Sequence, residues 1–470
     1  AASSPRFMPN YIPSIRKLIW PNGSTATTFC VTPDTEALTR DRGWQTHDKL
    51  EPGDVIYTLN TNSGLGEWQP VTQMNRFDVT DEPMMHSSGR FHSSCTTMNH
   101  RWPVRGFMEP ERGRPVKRRR KSSGRVYTQR TNPSLPPPRT VTQAGIQWRT
   151  TEEILSKQKT LWNYTTVAPA ADLPVEPKYS DALVELVAWT MTEGHAKPHP
   201  RTDRTTLFLK QSLSVNPHHH ASITRALNEM FGPPRPTLKW RTHGGNRPIH
   251  TDETWYTKGD GFTLDHAAAA HILEHFEEPA PNPHHPEHKG YRSKVVRREF
   301  IYSLTRSQLR LFVDRCTDGD GSRRGDAFGM VQNHAGRDDI YALALTLLGT
   351  PYQQFEKLGV YNDKPYWTFS TSSQPKADRP HHNRELVTFT GTVWCPTTEN
   401  GTWFARCDRK VFFTGNSADA PSQLRGPQSH ATWADETAAW KQVPDDSGAT
   451  AWDHVLIGTR LGANPQTLAT

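Results

Sequence analysis

The sequence predicts a multidomain chain in which an all-β domain is split by an α+β insert and flanked by short α/β segments. Three observations lead to this fold class. Short apolar runs separated by Gly, Pro and Asn turns fill residues 30–170 and return at 386–414, which is typical of β-strands. Helical periodicity replaces this pattern between about residues 179 and 381. The 470 residues also exceed what one hydrophobic core holds, so about three domains are expected.

The composition indicates which binding partners and which cellular compartment to expect. Lys and Arg number 56 against 48 Asp and Glu, and the isoelectric point is near 9.2, a balance that favours a polyanionic partner. No apolar run approaches the ~20 residues of a membrane span and no secretory signal opens the chain, so no membrane partner is expected. Five cysteines without framework spacing argue against a secreted disulfide scaffold, which favours a cytoplasmic location. The chain begins with Ala and stops inside a strand-like run at Thr470, so we expect a fragment.

Two stretches far apart in the sequence carry residues that can rearrange the backbone. Asn416 follows the apolar run 411–414 and precedes Ser417. The side-chain amide of such an Asn can attack its own carbonyl, which cuts the peptide bond before the hydroxyl residue. Cys30 stands at the head of a strand-like run and offers a thiol nucleophile.

On this pair of stretches the chain resembles an intein, a segment that removes itself and joins its flanks. The resemblance implies a Hint domain, an all-β horseshoe, that excises residues 30–416 and joins Phe29 to Ser417 without a cofactor. Inteins carry a Thr-x-x-His element against their first residue, which helps convert the peptide bond before that residue into a thioester. The matching residues of this chain are Thr97, Asn99 and His100.

Two features depart from the common intein pattern. Gly415 precedes Asn416, where a His is usual. Trp102, Cys395 and Thr414 fall where a minority class of inteins carries a Trp-Cys-Thr triplet, and in that class the internal Cys takes the acyl group. That class usually lacks a Cys at the first position, whereas this chain keeps one. Both thiols therefore remain candidates for the first nucleophile.

The insert contains an imperfect internal repeat. Residues 183–194 and 309–321 each read as an apolar helix that ends in an acidic residue and Gly. Each is followed by a strand carrying a Gln and then by an amphipathic helix that closes on Gly. These following elements are Gln211 with 221–231 in the first copy and Gln332 with 338–348 in the second.

This repeat resembles the LAGLIDADG homing endonucleases in their two-repeat, single-chain form, although Trp189 and Arg315 stand where small or apolar residues are usual. The resemblance implies that two helices pack side by side, so that Glu193 and Asp320 meet and hold Mg²⁺ between two scissile phosphates. It also implies recognition of double-stranded DNA by paired sheets. The expected DNA site is the host gene without the intein.

The flanks, residues 1–29 and 417–470, are too short to fold alone. Joined, they read as strand, loop and strand ending in Asp435 and Glu436. This joined segment resembles the ATPase domain of a phage terminase large subunit, which implies a phage or prophage protein in a bacterial host. Asp435 would be the Walker B acid that holds Mg²⁺, and Glu436 would be the catalytic glutamate. No Gly-rich phosphate loop is present, so this chain alone should not hydrolyse ATP.

Two further motifs predict exposed loops. The basic run 117–121 and the prolines at 136–138 indicate an exposed, poorly ordered segment, either a solvated charge run or a phosphate-binding one. Histidines at 218–220 and within 284–288 are not paired with Cys at zinc spacing, so no zinc site is predicted.

Together these features predict a self-splicing intein with an embedded Mg²⁺-dependent homing endonuclease, inserted in a terminase large subunit. Two alternatives are a Hint domain that only cleaves, and a DNA-binding protein that does not splice and whose insert is an inactive endonuclease. The predicted segments are a terminase flank at 1–29, the splicing domain at 30–175 and 384–416, the endonuclease at 176–383, and a second terminase flank at 417–470.

Overall fold

A computed structural model describes residues 30–89, 92–108, 115–119, 126–130, 145–155, 160–198, 204–234, 254–278, 294–324, 327–332, 335–358, 365–371, 384–416, 431–434 and 466–469. The chain divides into two compact units, Ala1–Thr166 with Pro375–Thr470 and Val167–Gln374. We call them the outer unit and the inserted unit. The segment boundaries predicted from the sequence stay predictions. Phe29, Ser417, Asp435 and Glu436 lie outside the described residues.

The helices and strands are numbered along the chain. Its first part forms β1 (Glu36–Thr39), β2 (Gly43–Gln45), β3 (Val55–Leu59), β4 (Gly66–Pro70), β5 (Gln73–Ser88), β6 (Ser93–Thr97), β7 (Arg101–Met108), β8 (Pro115–Arg119), β9 (Val126–Arg130), β10 (Gln147–Thr150), α1 (Thr151–Leu155) and β11 (Thr160–Tyr164), with a 3₁₀ turn at His47–Lys49. The inserted unit forms α2 (Asp181–Glu193), β12 (Gly194–Pro198), β13 (Thr205–Lys210), α3 (Pro217–Phe231), β14 (Trp255–Lys258), β15 (Gly261–Leu264), α4 (His266–Leu273), α5 (Arg298–Tyr302), α6 (Arg306–Asp320), β16 (Gly321–Arg324), β17 (Ala327–Gln332), α7 (Ala335–Leu348), β18 (Tyr352–Leu358) and β19 (Pro365–Thr371). The last part forms β20 (Arg384–Thr397), β21 (Thr402–Cys407), β22 (Lys410–Gly415), β23 (Ala431–Ala434) and β24 (Gln466–Ala469).

In the outer unit, strands from before and after the inserted unit pair with one another. The largest sheet has the order β22-β21-β1-β3-β4, with β2 also paired to β1. A second sheet has the order β20-β5-β6, and a third has the order β10-β7-β11. These three sheets are antiparallel, whereas β23 and β24 pair in parallel. Pairing of β1 with β21 and of β5 with β20 brings the two ends of the span 30–416 into one unit.

The core of the outer unit is aromatic and forms around the returning strands. All six residues of β22 are buried, which accounts for its continuous apolar run, because a strand covered on both faces does not alternate. Trp394 and Trp403 pack with ring centroids 4.9 Å apart, and Trp102 lies 5.5 Å from Phe412. Truncating one such ring to Ala costs about 3–5 kcal/mol of stability. This core surrounds the strand that leads to Asn416.

In the inserted unit, the sequence repeat appears as a repeat of topology. After α2 the sheet has the order β12-β13-β15-β14, and after α6 it has the order β16-β17-β19-β18. Both sheets are antiparallel. Gln211 directly follows β13 and Gln332 ends β17, so the two glutamines occupy equivalent places. No helix among the described residues is both long and apolar enough to cross a membrane.

The first helix of each copy packs against the other at short range. A Cβ atom on Gly319 would lie 2.4 Å from Thr192 Oγ1 and 2.8 Å from its Cβ, so glycine permits this approach. Both α2 and α6 are followed by a glycine, and a Cβ added to that glycine would meet the carbonyl oxygen four residues earlier. These glycines are Gly194, against Thr190, and Gly321, against Thr317. The chain therefore turns from helix to strand directly after Glu193 and Asp320.

Two predictions about local structure were wrong. Lys117–Arg119 belong to strand β8, which pairs with β9, where the sequence predicted a poorly ordered loop; Val116, Val126 and Tyr127 supply the β-forming residues. The sequence also predicts two short strands at 386–390 and 393–397, whereas the structure has one continuous strand there. Its register with β5 shifts between Phe389 and Gly391, and Gly391 has φ of 147°, so a bulge takes the place of the predicted break. Residues 136–138 and 284–288 lie outside the described residues, and 218–220 lie in the first turn of α3.

Candidate active sites

The first candidate site lies in the outer unit, where Cys30 is fully buried between two segments. Val31 forms both backbone hydrogen bonds with Trp394, at 3.0 Å each, so Cys30 lies directly across from Cys395. The two sulfur atoms are 3.7 Å apart, although the residues are 365 positions apart in sequence. Their mutual hydrogen bond and their burial raise the pKa of the Cys30 thiol.

The Thr-x-x-His element lies against this first residue. The backbone nitrogen of Cys30 donates to Thr97 Oγ1 at 3.3 Å, and the backbone nitrogen of Thr97 donates to the Cys30 carbonyl at 3.2 Å. The Cys30 nitrogen belongs to the peptide bond that an intein rearranges. Asn99 is half-buried in the turn after β6, and His100 ends that turn with its own nitrogen bonded to the Thr97 carbonyl at 3.2 Å.

His100 links the first junction to the strand of the second. Its Nε2 shares a hydrogen bond with Thr414 Oγ1 on β22, and both residues are fully buried. The ring of Trp102 stands edge-on to His100, with centroids 4.8 Å apart. Thr151, which sequence reasoning missed, accepts from the Trp102 indole at 2.9 Å, and its nitrogen donates to the His100 carbonyl at 2.9 Å. Thr151 therefore fixes the Trp102 ring and the His100 backbone relative to each other.

Asn416 is held at the end of β22 by backbone groups. Its nitrogen donates to the Gly401 carbonyl at 3.1 Å, and its side-chain Nδ2 donates to the Thr398 carbonyl at 3.2 Å. The Trp403 indole donates to the carbonyl of Gly415 at 3.2 Å. A Cβ on Gly415 would lie 2.7 Å from the Arg101 carbonyl oxygen, so this position has no room for a histidine.

The structure thus places seven of the predicted splicing residues in the outer unit, six of them buried, and leaves one outside its description. The seven are Cys30, Thr97, Asn99, His100, Cys395, Thr414 and Asn416. Ser417 lies outside the described residues, as do the predicted terminase acids Asp435 and Glu436. Strand β23, which ends one residue before Asp435, pairs in parallel with β24. Local sequence carried no signal for Thr151 or Trp403, because their role depends on pairing between distant strands.

The second candidate site lies in the inserted unit, at the ends of α2 and α6. Glu193 and Asp320 are both half-buried there. Burial and the nearby charge of Asp320 raise the pKa of the Glu193 carboxyl. Two carboxylates at helix C-termini, where the helix dipoles are negative, form a site that attracts cations.

Three further polar residues lie near these acids: Lys294, Gln332 and Arg337. Lys294 Nζ donates to the Thr192 carbonyl at 3.1 Å, and burial together with the Arg337 charge lowers its pKa to about 8, against the opposing effect of both acids. Gln332 Nε2 donates to Asp320 Oδ2 at 2.6 Å. Lys294 follows a Pro-rich stretch and has no place in the sequence repeat, so sequence reasoning missed it.

The acid pair fits a divalent ion that also binds phosphate. Within the described ranges, no group of three or more His, Cys, Asp or Glu is placed to share a metal ion. Mg²⁺ is commonly bound by one or two carboxylates together with water and substrate phosphates. Glu193 and Asp320 therefore suit Mg²⁺ held jointly with a nucleic acid. The pKa of Glu193 is raised first by burial and then by the charge of Asp320, and a cation would relieve this second effect.

Arg315, an unusual residue for this type of helix, also has a place in the structure. Its Nε lies 3.2 Å from Oε1 of Glu185, which is buried on α2 and also pairs with Arg225 at 2.8 Å. A buried carboxylate needs such partners, because leaving one unpaired costs several kcal/mol. The Arg315–Glu185 ion pair joins α6 to α2, and Arg315 stands at a position where a small or apolar residue was expected.

Comparisons with known proteins give few matches. No family model matches the chain, and no curated protein matches it. Among solved structures, the chain is similar to mesophilic variants of the homing endonuclease I-DmoI, with 8% identity over 41% of this chain and 89% of that one, and a TM-score of 0.26. It is similar to I-DmoI in complex with DNA and Ca (8% identity, 41% and 83% covered, TM-score 0.26) and with DNA and Mn (8%, 41% and 89%, 0.25). TM-scores at this level carry no argument about this chain.

Proposed function

We propose that the outer unit splices itself out of its host chain between residues 30 and 416. One observation carries the proposal: Cys30, Cys395 and Asn416, which come from opposite ends of that span, lie in a single unit with Thr97 and His100. A stable binding protein has no need to bury two thiols 3.7 Å apart without joining them in a disulfide. Holding both junctions in one fold supplies the effective concentration that an exchange of peptide bonds requires.

The first step transfers the acyl group of residue 29 from nitrogen to sulfur. A thiolate of the Cys30–Cys395 pair bonds to the carbonyl carbon of residue 29, and the bond from that carbon to the Cys30 nitrogen breaks. The nitrogen takes up a proton and leaves as an amine. Thr97 supports this step because its hydroxyl already contacts the leaving nitrogen at 3.3 Å. Trp102 and Thr151 keep His100 oriented toward Thr414.

The second step moves the acyl group to the downstream flank and releases the spliced segment. The Ser417 hydroxyl attacks the thioester, an ester forms, and the sulfur leaves as a thiol. Asn416 Nδ2 then attacks its own carbonyl carbon, which frees the Ser417 amine, and the ester shifts to that amine as an amide. The Thr398 carbonyl accepts a hydrogen bond from Asn416 Nδ2 at 3.2 Å and so fixes the orientation of the attacking amide.

The test is the mass of the products of the expressed chain. The parent should yield the joined flanks 1–29 and 417–470 and a free segment 30–416. Asn416→Ala removes the cyclising amide, so the joined product should be absent while added thiol still cleaves before Cys30. Joined product from Asn416→Ala would refute the mechanism. Cleavage without joining in the parent would favour the cleavage-only alternative.

For the inserted unit, we propose Mg²⁺-dependent cleavage of double-stranded DNA at the host gene without the insertion. The observation that favours it is the meeting of Glu193 and Asp320 in a unit of two topologically equal halves. When bound, Mg²⁺ would supply charge stabilisation at the scissile phosphates. Lys294 lies beside the acids and can stabilise phosphate charge, and Gln332 orients Asp320.

The proposal is tested by asking whether the protein cuts only the DNA site that lacks the insertion. The protein with Mg²⁺ should cut a segment of the host gene that reads continuously across codons 29 and 417, and should spare the same segment carrying the insertion. The host is proposed to be a terminase ATPase, supported by the parallel strand β23 before Asp435 and Glu436. Equal cleavage of both segments, or of neither, would leave the inserted unit as a non-specific or inactive DNA binder.

A further inference from the structure

The positive charge of this chain is unevenly distributed between its two units. The inserted unit, Val167–Gln374, contains 24 Lys and Arg and 24 Asp and Glu, so its formal charge is zero. Residues 105–140 of the outer unit contain 11 Lys and Arg and only 2 acidic residues, whereas the whole chain has an excess of 8 positive charges. The unit that we propose to cut DNA therefore lacks the positive balance that attracts a polyanion, and the outer unit holds it.

Several arginines of the inserted unit are also engaged with acids. Arg225 and Arg315 both pair with Glu185, at 2.8 and 3.2 Å. Arg323 pairs with Asp314 at 2.9 Å. A cation held in an ion pair must give up that partner before it can neutralise a phosphate, so these arginines add little to the attraction for DNA.

The excess charge centres on the two-stranded ribbon formed by β8 and β9. Among the described strands, these two pair only with each other. The register places Arg130 opposite residue 115 and Lys117 opposite residue 128. Because alternate residues of a strand share a face, Lys117, Arg119 and Arg130 belong to one face of the ribbon. Arg118 belongs to the other face.

Three cations on one face repel one another unless an anion lies against them. Lys117 and Arg119 are separated by about 7 Å along β8, and diagonal neighbours across a ribbon, such as Lys117 and Arg130, by about 7–8 Å, which is within the Debye length of physiological salt. Neither β8 nor β9 contains an acidic residue. A two-stranded ribbon fits the major groove of B-DNA, about 12 Å wide, whose phosphates would supply the missing anions.

We propose that the face of the β8–β9 ribbon carrying Lys117, Arg119 and Arg130 is a second DNA-binding surface, which contacts the phosphates of double-stranded DNA without reading its sequence. This surface supplies most of the salt-sensitive affinity of the chain for duplex DNA, and the inserted unit supplies the cutting site. The inference rests on the proposed DNA cleavage, because that function brings the chain to a duplex. Of the two interpretations of the basic run, phosphate binding is the one that the ribbon favours.

The first experiment measures binding without cleavage. Full-length Asn416→Ala protein is titrated into a fluorescent DNA duplex of unrelated sequence, with EDTA in place of Mg²⁺, and anisotropy is followed at salt concentrations from about 50 to 200 mM. Lys117→Gln combined with Arg119→Gln should weaken binding about ten- to a hundredfold at the lowest salt, because two phosphate contacts are lost. The slope of log Kd against log salt should fall by about 2.

Two matched controls separate the ribbon from net charge and from sequence readout. Arg40→Gln combined with Lys49→Gln removes the same charge from exposed positions of the same unit, and should weaken binding by less than about threefold. Lys117→Arg combined with Arg119→Lys keeps the charge of the ribbon, and should bind within about twofold of the parent. Equal losses in the two Gln variants, a large loss in the charge-conserving variant, or a parent that does not bind the duplex would each overturn the inference.

If the double Gln variant of the ribbon fails to fold by circular dichroism, single changes on its two faces decide. Arg119→Gln should weaken binding about three- to tenfold, and Arg118→Gln, on the opposite face, by less than about twofold. Equal losses in these two variants would overturn the inference.

The second experiment separates this inference from the endonuclease proposal. With Mg²⁺ and the host segment that lacks the insertion, the double Gln variant of the ribbon should need more DNA for half-maximal cleavage, in proportion to its Kd. Its rate at saturating DNA should stay within about twofold of the parent, because Glu193 and Asp320 are unchanged. A lower saturating rate with unchanged affinity would overturn the inference. If the parent cuts no DNA, the endonuclease proposal fails, whereas the anisotropy titrations still decide whether the ribbon binds a duplex.

Discussion

The two candidate sites of this chain are built in opposite ways. In the outer unit, Cys30, Cys395 and His100 are fully buried, and they bond to uncharged groups, the two thiols to each other and His100 to Thr414. In the inserted unit, Glu193 and Asp320 are half-buried carboxylic acids. The difference follows from the substrates that we propose. A chain that rearranges its own backbone already contains its substrate, whereas an endonuclease must admit a cation and a DNA duplex.

The largest expected effect separates the two thiols of the buried site. Cys395→Ala should abolish the joined product, because Cys395 belongs to the Trp102, Cys395 and Thr414 triplet, whose resemblance implies that its thiol takes the acyl group. Cys30→Ala should still splice, more slowly, because it removes only the partner thiol at 3.7 Å. Gel analysis with mass spectrometry of both variants checks this. The reverse pattern would make Cys30 the first nucleophile.

The next effect tests whether the two sites work separately. Glu193→Gln and Asp320→Asn should each lower Mg²⁺-dependent DNA cleavage by about a thousandfold, because each removes a charge that holds the ion. Splicing should continue unchanged, since its residues belong to the other unit and need no metal. Cleavage and splicing are measured on the same preparation. Loss of splicing in either variant would show that the two units are energetically coupled.

A smaller, reversible effect follows from the spacing of the thiols. Directly opposed residues of an antiparallel pair that do not share hydrogen bonds have Cα atoms about 4.5 Å apart, within the range of disulfides. Diamide should therefore join Cys30 to Cys395 with loss of two hydrogens and stop splicing, and dithiothreitol should restore it. Non-reducing peptide mapping identifies the bond, and Cys316, buried in the other unit, serves as the control thiol. A diamide-treated chain that splices at the parent rate would contradict the geometry.

The two candidate sites also differ in how much of each could be predicted from the sequence. It predicted the strands around Cys30 and Asn416 and the repeated helices, because local periodicity and terminal acid-Gly steps are written in consecutive residues. It could not predict that the Cys30 and Cys395 sulfur atoms lie 3.7 Å apart, since that contact joins segments 365 residues apart in sequence. The same holds for Lys294, which reaches the acids from outside the repeat. Gly415 stands where the resemblance leads one to expect a His. The structure explains the glycine, because the Arg101 carbonyl leaves no room for a larger side chain.

The smallest expected effect is a pH dependence that has opposite signs at the two sites. The pKa of Lys294 falls from 10.5 to about 8 on folding, mainly through burial, so the folded inserted unit disfavours the charged lysine. Between pH 8 and 10.5 the unfolded chain binds more protons than the folded one, and this lysine therefore makes stability rise with pH. At the thiol site the pKa of Cys30 is raised on folding, so stability there falls as pH rises above about 9.

Lys294→Met isolates the lysine contribution, because Cys316, whose burial raises its pKa and opposes the lysine, is present in both proteins. The free energy of unfolding of the parent minus that of Lys294→Met should increase by about 1–3 kcal/mol from pH 8 to 10.5. Urea unfolding in the Asn416→Ala background measures it, and Lys197→Met, at an exposed lysine of the same unit, is the matched control. A difference that stays flat across this window would mean that Lys294 is hydrated rather than buried beside the acids, and the inserted site would then lack the cation that we place next to its metal-binding pair.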